Sequence, residues 1–155
     1  MSPFRAVLCP IDLAEDVERR LPFMRSLAKQ LSAQLHLLYV VREFDFARGI
    51  FIPHENVDQM EKDYRGAAEA KMRRLREESF GDDPDVTTAV AFGDPAEEIL
   101  RYAAAQKIDL IAVCTHGRHG LEHAIFGSVA EKVVKRSGVP VLTIRPQYIQ
   151  EHAAS

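Results

Sequence analysis

The 155-residue chain is poor in the features that mark several specialised classes of protein. It has two cysteines, Cys9 and Cys114, too few for a disulfide framework. It has no excess of positive charge, since 20 lysines and arginines face 23 aspartates and glutamates for a net charge of −3. A dedicated nucleic-acid binder needs a basic surface to neutralise phosphates, so that class is set aside. No apolar run approaches the roughly 20 residues of a membrane span. The opening Met1-Ser2-Pro3-Phe4-Arg5 leads straight into a short apolar stretch, without the pattern of a secretory signal. Internal repeats, low-complexity tracts and linkers are missing too. These absences lead to the expectation of a cytoplasmic protein with no nucleic-acid or membrane partner. The remaining composition, 46% apolar and 28% charged, is ordinary for one globular domain with a real core.

What is present is concentrated between Ile108 and Arg136. An apolar run, Ile108 to Val113 broken only by Asp109, suits a strand buried on both faces. Thr115-His116-Gly117-Arg118-His119-Gly120 reads as a turn, and Gly127-Ser128 stands at the head of a helix, Val129 to Arg136. A strand, a glycine-containing loop and a helix N-terminus are the parts of a phosphate site, because glycine lets backbone N–H groups approach an anion. Ser128 followed by Glu131 is equally a capping box, which needs no ligand. Both readings fit these residues. No lysine follows the glycines, so this is neither the GxxxxGK(S/T) phosphate loop nor GxGxxG.

The rest of the chain alternates strand and helix patterns. Phe4 to Cys9 reads as a first strand ended by Pro10, with Asp12 on the loop after it. A helix follows from about Glu15 to Leu31, and Pro22 inside it requires either a later start or a bend. Leu35 to Val41 is a second strand, in which His36 is read as structural. Arg42 to Glu55 is a loop with Phe44, Phe46, Ile50, Phe51 and Ile52, a lid, a subunit contact or packing onto its own helices. Asn56 to Ser79 is a helix with a stripe of Val57, Met60, Tyr64, Ala68, Met72 and Leu75. Val86 to Phe92 is a third strand. Asp94, Pro95 and Glu97 agree on a capped helix start. Val139 to Ile144 is a fifth strand, and residues 147–155 have little to bury and are expected to fray. Strands alternating with helices mean a parallel α/β sheet with right-handed crossovers.

Neither a metal centre nor a nucleophilic triad is compelling. His116, His119 and His123 have ligand-like spacing, but glycines intervene. Ser128 has no histidine–carboxylate pattern that sequence establishes. Asp94 and Glu97 are explained by capping.

The chain resembles the universal stress protein family. The resemblance rests on the family's G-x2-G-x9-G-(S/T) nucleotide signature, met here by Gly117, nine residues and Gly127-Ser128, with Cys114 in place of the first glycine. Cys9-Pro10-Ile11-Asp12, Leu37 to Val41, Gly93 to Ile99 and Gly138 to Leu142 also match. The resemblance implies a Rossmann-like open sheet of five strands in the order 3-2-1-4-5, helices on both faces, over residues 1–146. It implies ATP or another adenine nucleotide at the crevice. Asp12 would lie at the ribose or a bound Mg²⁺, the Val40 main chain at adenine, and Gly117, Arg118, Gly127 and Ser128 at the phosphates. Cys114 is expected to weaken that binding. Strand Val139–Ile144, as the sheet edge, is expected to form a homodimer, and an enzymatic role beyond slow ATP turnover is not expected.

Overall fold

Apolar runs bounded by turns form strands here because each can bury both faces between helices. The computed structural model describes residues 2–13, 17–42, 57–115 and 127–152. The elements alternate along the chain as β1 (Ala6–Ile11), α1 (Val17–Gln30), β2 (Gln34–Val41), α2 (Val57–Phe80), β3 (Val86–Phe92), α3 (Pro95–Ala105), β4 (Leu110–Cys114), α4 (Ser128–Arg136), β5 (Val141–Ile144) and α5 (Pro146–His152). The sheet is parallel in the order β3-β2-β1-β4-β5, as expected.

Side chains alternate across the sheet, so β1 feeds two cores. Val7 and Cys9 join Leu21, Met24, Leu35, Leu37 and Met72 beneath α1 and α2. Ala6 and Leu8 join Leu38, Ile99, Ile111 and Val133 beneath α3 and α4. Each fully buried leucine here contributes about 2 kcal/mol of transfer free energy.

Several boundaries differ from expectation for physical reasons. The first helix is described from Val17, its expected start at Glu15 lying outside the described residues, and Pro22 inside it removes a single bond, to the carbonyl of Glu18. On α2, Ala68, Met72 and Leu75 are buried and Met60 is half-buried, but Tyr64 is 40% exposed, so the expected stripe is interrupted at Tyr64. Strand five starts at Val141, not Val139, because Val139 is held in a turn by Ser137, whose hydroxyl donates to the Val139 carbonyl. The tail does not fray after Gln147: Pro146 starts a helix and Ile149 is 2% exposed in the first core. Tyr148 meets Phe23 edge-on, with ring centroids 5.9 Å apart. Among the described residues, Ile149 in the core and Tyr148 against Phe23 anchor this short helix.

Candidate functional site

The centre of the sheet divides like a fork. β1 pairs with β2 as far as Ile11↔Tyr39, and β4 pairs with β5 as far as Cys114↔Ile144. Between β1 and β4, however, the described pairs are Val7↔Leu110 and Leu8↔Ile111 alone. Pro10 accounts for part of this. The Ala6 carbonyl accepts from the Asp109 N–H at 3.0 Å, so Ala6 bonds toward β4. Alternate residues of a parallel strand bond to the same side, so Leu8 and Pro10 also face β4. Pro10 has no N–H to give, and the ladder stops where it would have been needed. The strand itself runs on to Ile11, contrary to the expectation that Pro10 ends it, because its pairing with β2 is undisturbed. Two prongs result, at the switch point of the strand order, where open α/β sheets hold ligands.

Asp12 follows the β1 prong and is half-buried. Val40 lies one strand away near the end of β2, opposite Ala91, and packs against the second core. On the β4 prong, Cys114 is followed by Thr115, which is buried. Thr115 donates its N–H to the Ile144 carbonyl at 3.0 Å, and its own carbonyl accepts the Gly127 N–H at 3.0 Å. Thr115 therefore ties the start of α4 to the end of β4. This tie was missed from sequence, where the one available signal was a small hydroxyl residue between strand and loop. Topology thus brings Asp12 and the Gly127-Ser128 turn to opposite sides of one crevice. Gly117 and Arg118, and the histidine triplet His116, His119 and His123, lie outside the described residues, as does the apolar stretch 43–55.

The cap of α4 differs from expectation. Gly127, not Ser128, is the N-cap, and Ser128 is the first helical residue and exposed. No side chain among the described residues caps this end. The first intrahelical bond runs from Glu131 to the Gly127 carbonyl, so the N–H groups of Ser128, Val129 and Ala130 have no partner within the helix. Glu131, one residue too far for a capping box, pairs instead with Lys135 at 2.7 Å. By contrast, α3 starts as expected: the Asp94 carboxylate accepts from the Glu97 N–H at 3.1 Å and Pro95 is the first helical residue.

Gly127 has φ −66° and ψ 156°, open to any residue. A Cβ built on it would meet, among the described residues, only the Thr115 carbonyl oxygen at an ordinary 3.5 Å. Cys114 is not among the described residues with positive φ, which are Ser32 and Lys107 apart from glycines. Backbone strain at Cys114 is therefore excluded, and its side chain packs against the first core. Burial, and secondarily the Cys114 thiolate, push the Cys9 thiol well above its ordinary range. His36 is buried against Tyr102, with Nδ1 and the phenol oxygen 2.9 Å apart, and burial holds its imidazole below the ordinary value. The structural role expected for His36 fits this pairing. A separate cleft of about 390 Å³ lies beside the fork, between Leu13 and Val17 and the Lys71, Arg74 and Glu78 side of α2. No group of three His, Cys, Asp or Glu side chains that could hold a metal ion occurs among the described residues. No helix among them is long and apolar enough to cross a membrane.

A five-stranded parallel sheet with a crevice at its switch point and an uncapped helix start on one side defines a Rossmann-like α/β protein. The universal stress protein family model matches residues 3–145, and the chain belongs to that family. The universal stress protein MJ0531 of Methanocaldococcus jannaschii is 30% identical over 146 residues, covering 92% of this chain and 82% of that one. The solved structure of MJ0577 from the same organism superimposes with a TM-score of 0.73 at 26% identity, covering 92% of this chain and 96% of that chain. A universal stress protein solved in complex with cAMP shares the fold at a TM-score of 0.62 and 18% identity, over 93% of this chain and 98% of that one.

Proposed function

We propose that this universal stress protein binds ATP or another adenine nucleotide in the fork between β1 and β4. It would act as a ligand-dependent regulatory or protective module with turnover slow or absent. The observation that carries the reading is Gly127. Neither its backbone angles nor any described neighbour requires glycine there, whereas an anion drawn against the N–H groups of α4 would. The cAMP complex of a structural relative supports the same ligand class. In this reading Gly117, Arg118, Gly127 and Ser128 meet the phosphates, the Val40 main chain meets adenine, and Asp12 meets the ribose. A single carboxylate beside phosphates suits Mg²⁺, which binds through one or two carboxylates plus phosphate oxygens, so Asp12 would hold the ion that accompanies ATP.

The test is thermal unfolding with and without ATP. ATP at a hundredfold excess over Kd stabilises the folded state by about 2.7 kcal/mol. Gly127→Val should remove that shift while altering the ligand-free protein by about 1 kcal/mol at most, the scale of an N-cap change. A full ATP shift in the variant removes Gly127 from the site. ATP hydrolysis lost in the same variant would turn the module into a slow ATPase.

A second reading is a dimeric interaction module that binds no nucleotide, favoured by Cys114 at the position of the signature's first glycine. In either reading the homodimer forms through β5. This strand is the sheet edge, Leu142 on it is 39% exposed, and an apolar edge is a template for pairing. Leu142→Lys should sediment as a monomer; a wild-type monomer at micromolar concentration would end the dimer proposal.

A further inference from the structure

At the root of the fork three sulfur side chains share one core. The Cys9 thiol donates to the Met24 thioether with Sγ and Sδ 3.5 Å apart. Cys114 packs against the same core from the neighbouring strand. Cys9 is fully buried, Met24 is 2% exposed, and Cys114 is half-buried at the mouth of the crevice. Neither cysteine is in a disulfide. The register explains why. Continuing Leu8↔Ile111 sets Cys9 opposite Ala112, so Cys114 stands two residues further along β4. The ladder has stopped by this level, so with strands at least about 4.8 Å apart and a rise of about 3.3 Å per residue the two Cα atoms are offset by about 8 Å or more. That exceeds the roughly 7 Å limit for a disulfide.

A metal ion spans what a disulfide cannot. Two sulfurs about 2.3 Å from one ion lie up to about 4.6 Å apart, against about 2.05 Å in an S–S bond. The observed 3.5 Å between Cys9 and Met24 corresponds to an S–metal–S angle of roughly 100° at that bond length. A bent pair of this kind leaves room for a third ligand, and Cys114, packed against the same core and the least buried of the three, is the sulfur available for it. Two thiols and a thioether in an apolar shell are soft donors that select Cu(I) over harder divalent ions.

We propose that Cys9, Met24 and Cys114 form a site for a single monovalent soft metal ion, Cu(I), at the base of the β1–β4 fork. The ion enters past Cys114. Each thiol gives up its proton to solvent as its sulfur bonds the metal, so one Cu(I) displaces two protons and the site gains a net charge of −1. No electron is transferred. The site uses none of the groups assigned to nucleotide, so it stands whether or not ATP binds.

The test is anaerobic titration of the full-length protein with Cu(I), in competition with a chromophoric Cu(I) chelator. Wild type should take one Cu(I) per chain with thiolate-to-metal ultraviolet absorption. Affinity should rise about a hundredfold per pH unit while both thiols begin protonated, because metal binding and proton release are linked. Cys114→Ser should lose stoichiometric binding. Met24→Leu, a volume-conserving change that keeps the core, should weaken it at least tenfold. Absence of stoichiometric uptake by wild type overturns the proposal. So does copper retained by Cys114→Ser, which would point to the histidines of residues 116–123, or wild-type affinity in Met24→Leu.

Discussion

The two edges of the sheet are built by different means. At the amino edge, side chains close the backbone. One oxygen of Asp109 accepts from both the Arg5 and Ala6 N–H groups, at 2.8 and 3.1 Å. Arg76 donates to the carbonyls of Val86, Asp83 and Gly81. Arg25 grips Asp83 with two bonds, at 2.7 and 3.1 Å, and this holds the Asp83 carboxyl below its ordinary value. At the carboxyl edge the described ties are mainly backbone to backbone: Gly93 to Val41, Thr115 to Ile144, Gly127 to Thr115. The central ladder there has parted, and the start of α4 has no side-chain cap among the described residues. One edge spends its polar side chains on stability. The other leaves backbone donors for something else, the division expected when binding groups sit on loops held by a rigid scaffold.

The strongest way to break this contrast is to attack the amino edge and look for an effect at the other. Asp109→Ala leaves the Arg5 and Ala6 N–H groups without their acceptor. The expected loss is about 2 kcal/mol, the scale of removing a charged acceptor, read from the urea midpoint. Asp109→Asn, which keeps an acceptor, should lose about half as much. The increment in unfolding temperature given by ATP should be unchanged in both. An ATP increment that falls together with stability would show that the edges are not separable.

A smaller effect is expected between the edges, where His36 on β2 meets Tyr102 on α3. Burial keeps the folded imidazole below its ordinary value of 6.5. The unfolded chain therefore binds more protons as pH falls below that value. This contribution is fully present above about pH 6.5 and is lost as pH drops toward the lowered folded value, with a slope of at most about 1.4 kcal/mol per pH unit. Stability measured at pH 7 and pH 5 should fall more in wild type than in His36→Gln. Equal falls would show that His36 is not the group responsible.

The contrast between edges also explains what sequence could and could not reveal. The strands were legible because Val7-Leu8-Cys9, Leu35 to Leu38 and Leu110 to Val113 are runs that only a doubly covered sheet buries, whereas their order was implied by the family resemblance and not by these runs. The cap at Asp94 was legible because three neighbouring residues agree on it. At Gly127-Ser128, serine propensity pointed to the wrong cap by one residue. A glycine cap has no side-chain signature, and the bond that fixes it comes from the Thr115 carbonyl. Pro10 was read as a strand end, although its effect is to stop one of two ladders, a distinction set by which neighbour its missing N–H would have faced. Helix α5 was missed because Ile149 alone carries its burial. Asp109, a lone carboxylate within an apolar run, serves atoms more than a hundred residues away, a partnership that sequence spacing does not contain.

The smallest effect expected lies at the amino edge itself, in the loop that delivers Asp109. Lys107 has φ +54° after α3, with its N–H donating to the Ala104 carbonyl and the Ile108 N–H to Ala103. This is the left-handed helix end that glycine usually fills. A side chain there costs about 1–2 kcal/mol relative to glycine, and Lys107 is exposed, with no burial to offset that cost. Lys107→Gly relieves the strain but gives the unfolded chain more freedom, a loss of about 0.4–1 kcal/mol. The two terms oppose each other and the first is larger, so the variant should gain roughly 0.5 kcal/mol net. For a chain of this size that raises the unfolding temperature by about 1–2 °C. Gln106→Gly, one residue earlier at φ −94°, carries the entropic loss without the relief and should be destabilising. If both glycines shift stability in the same direction, strain at Lys107 is not what decides the sign.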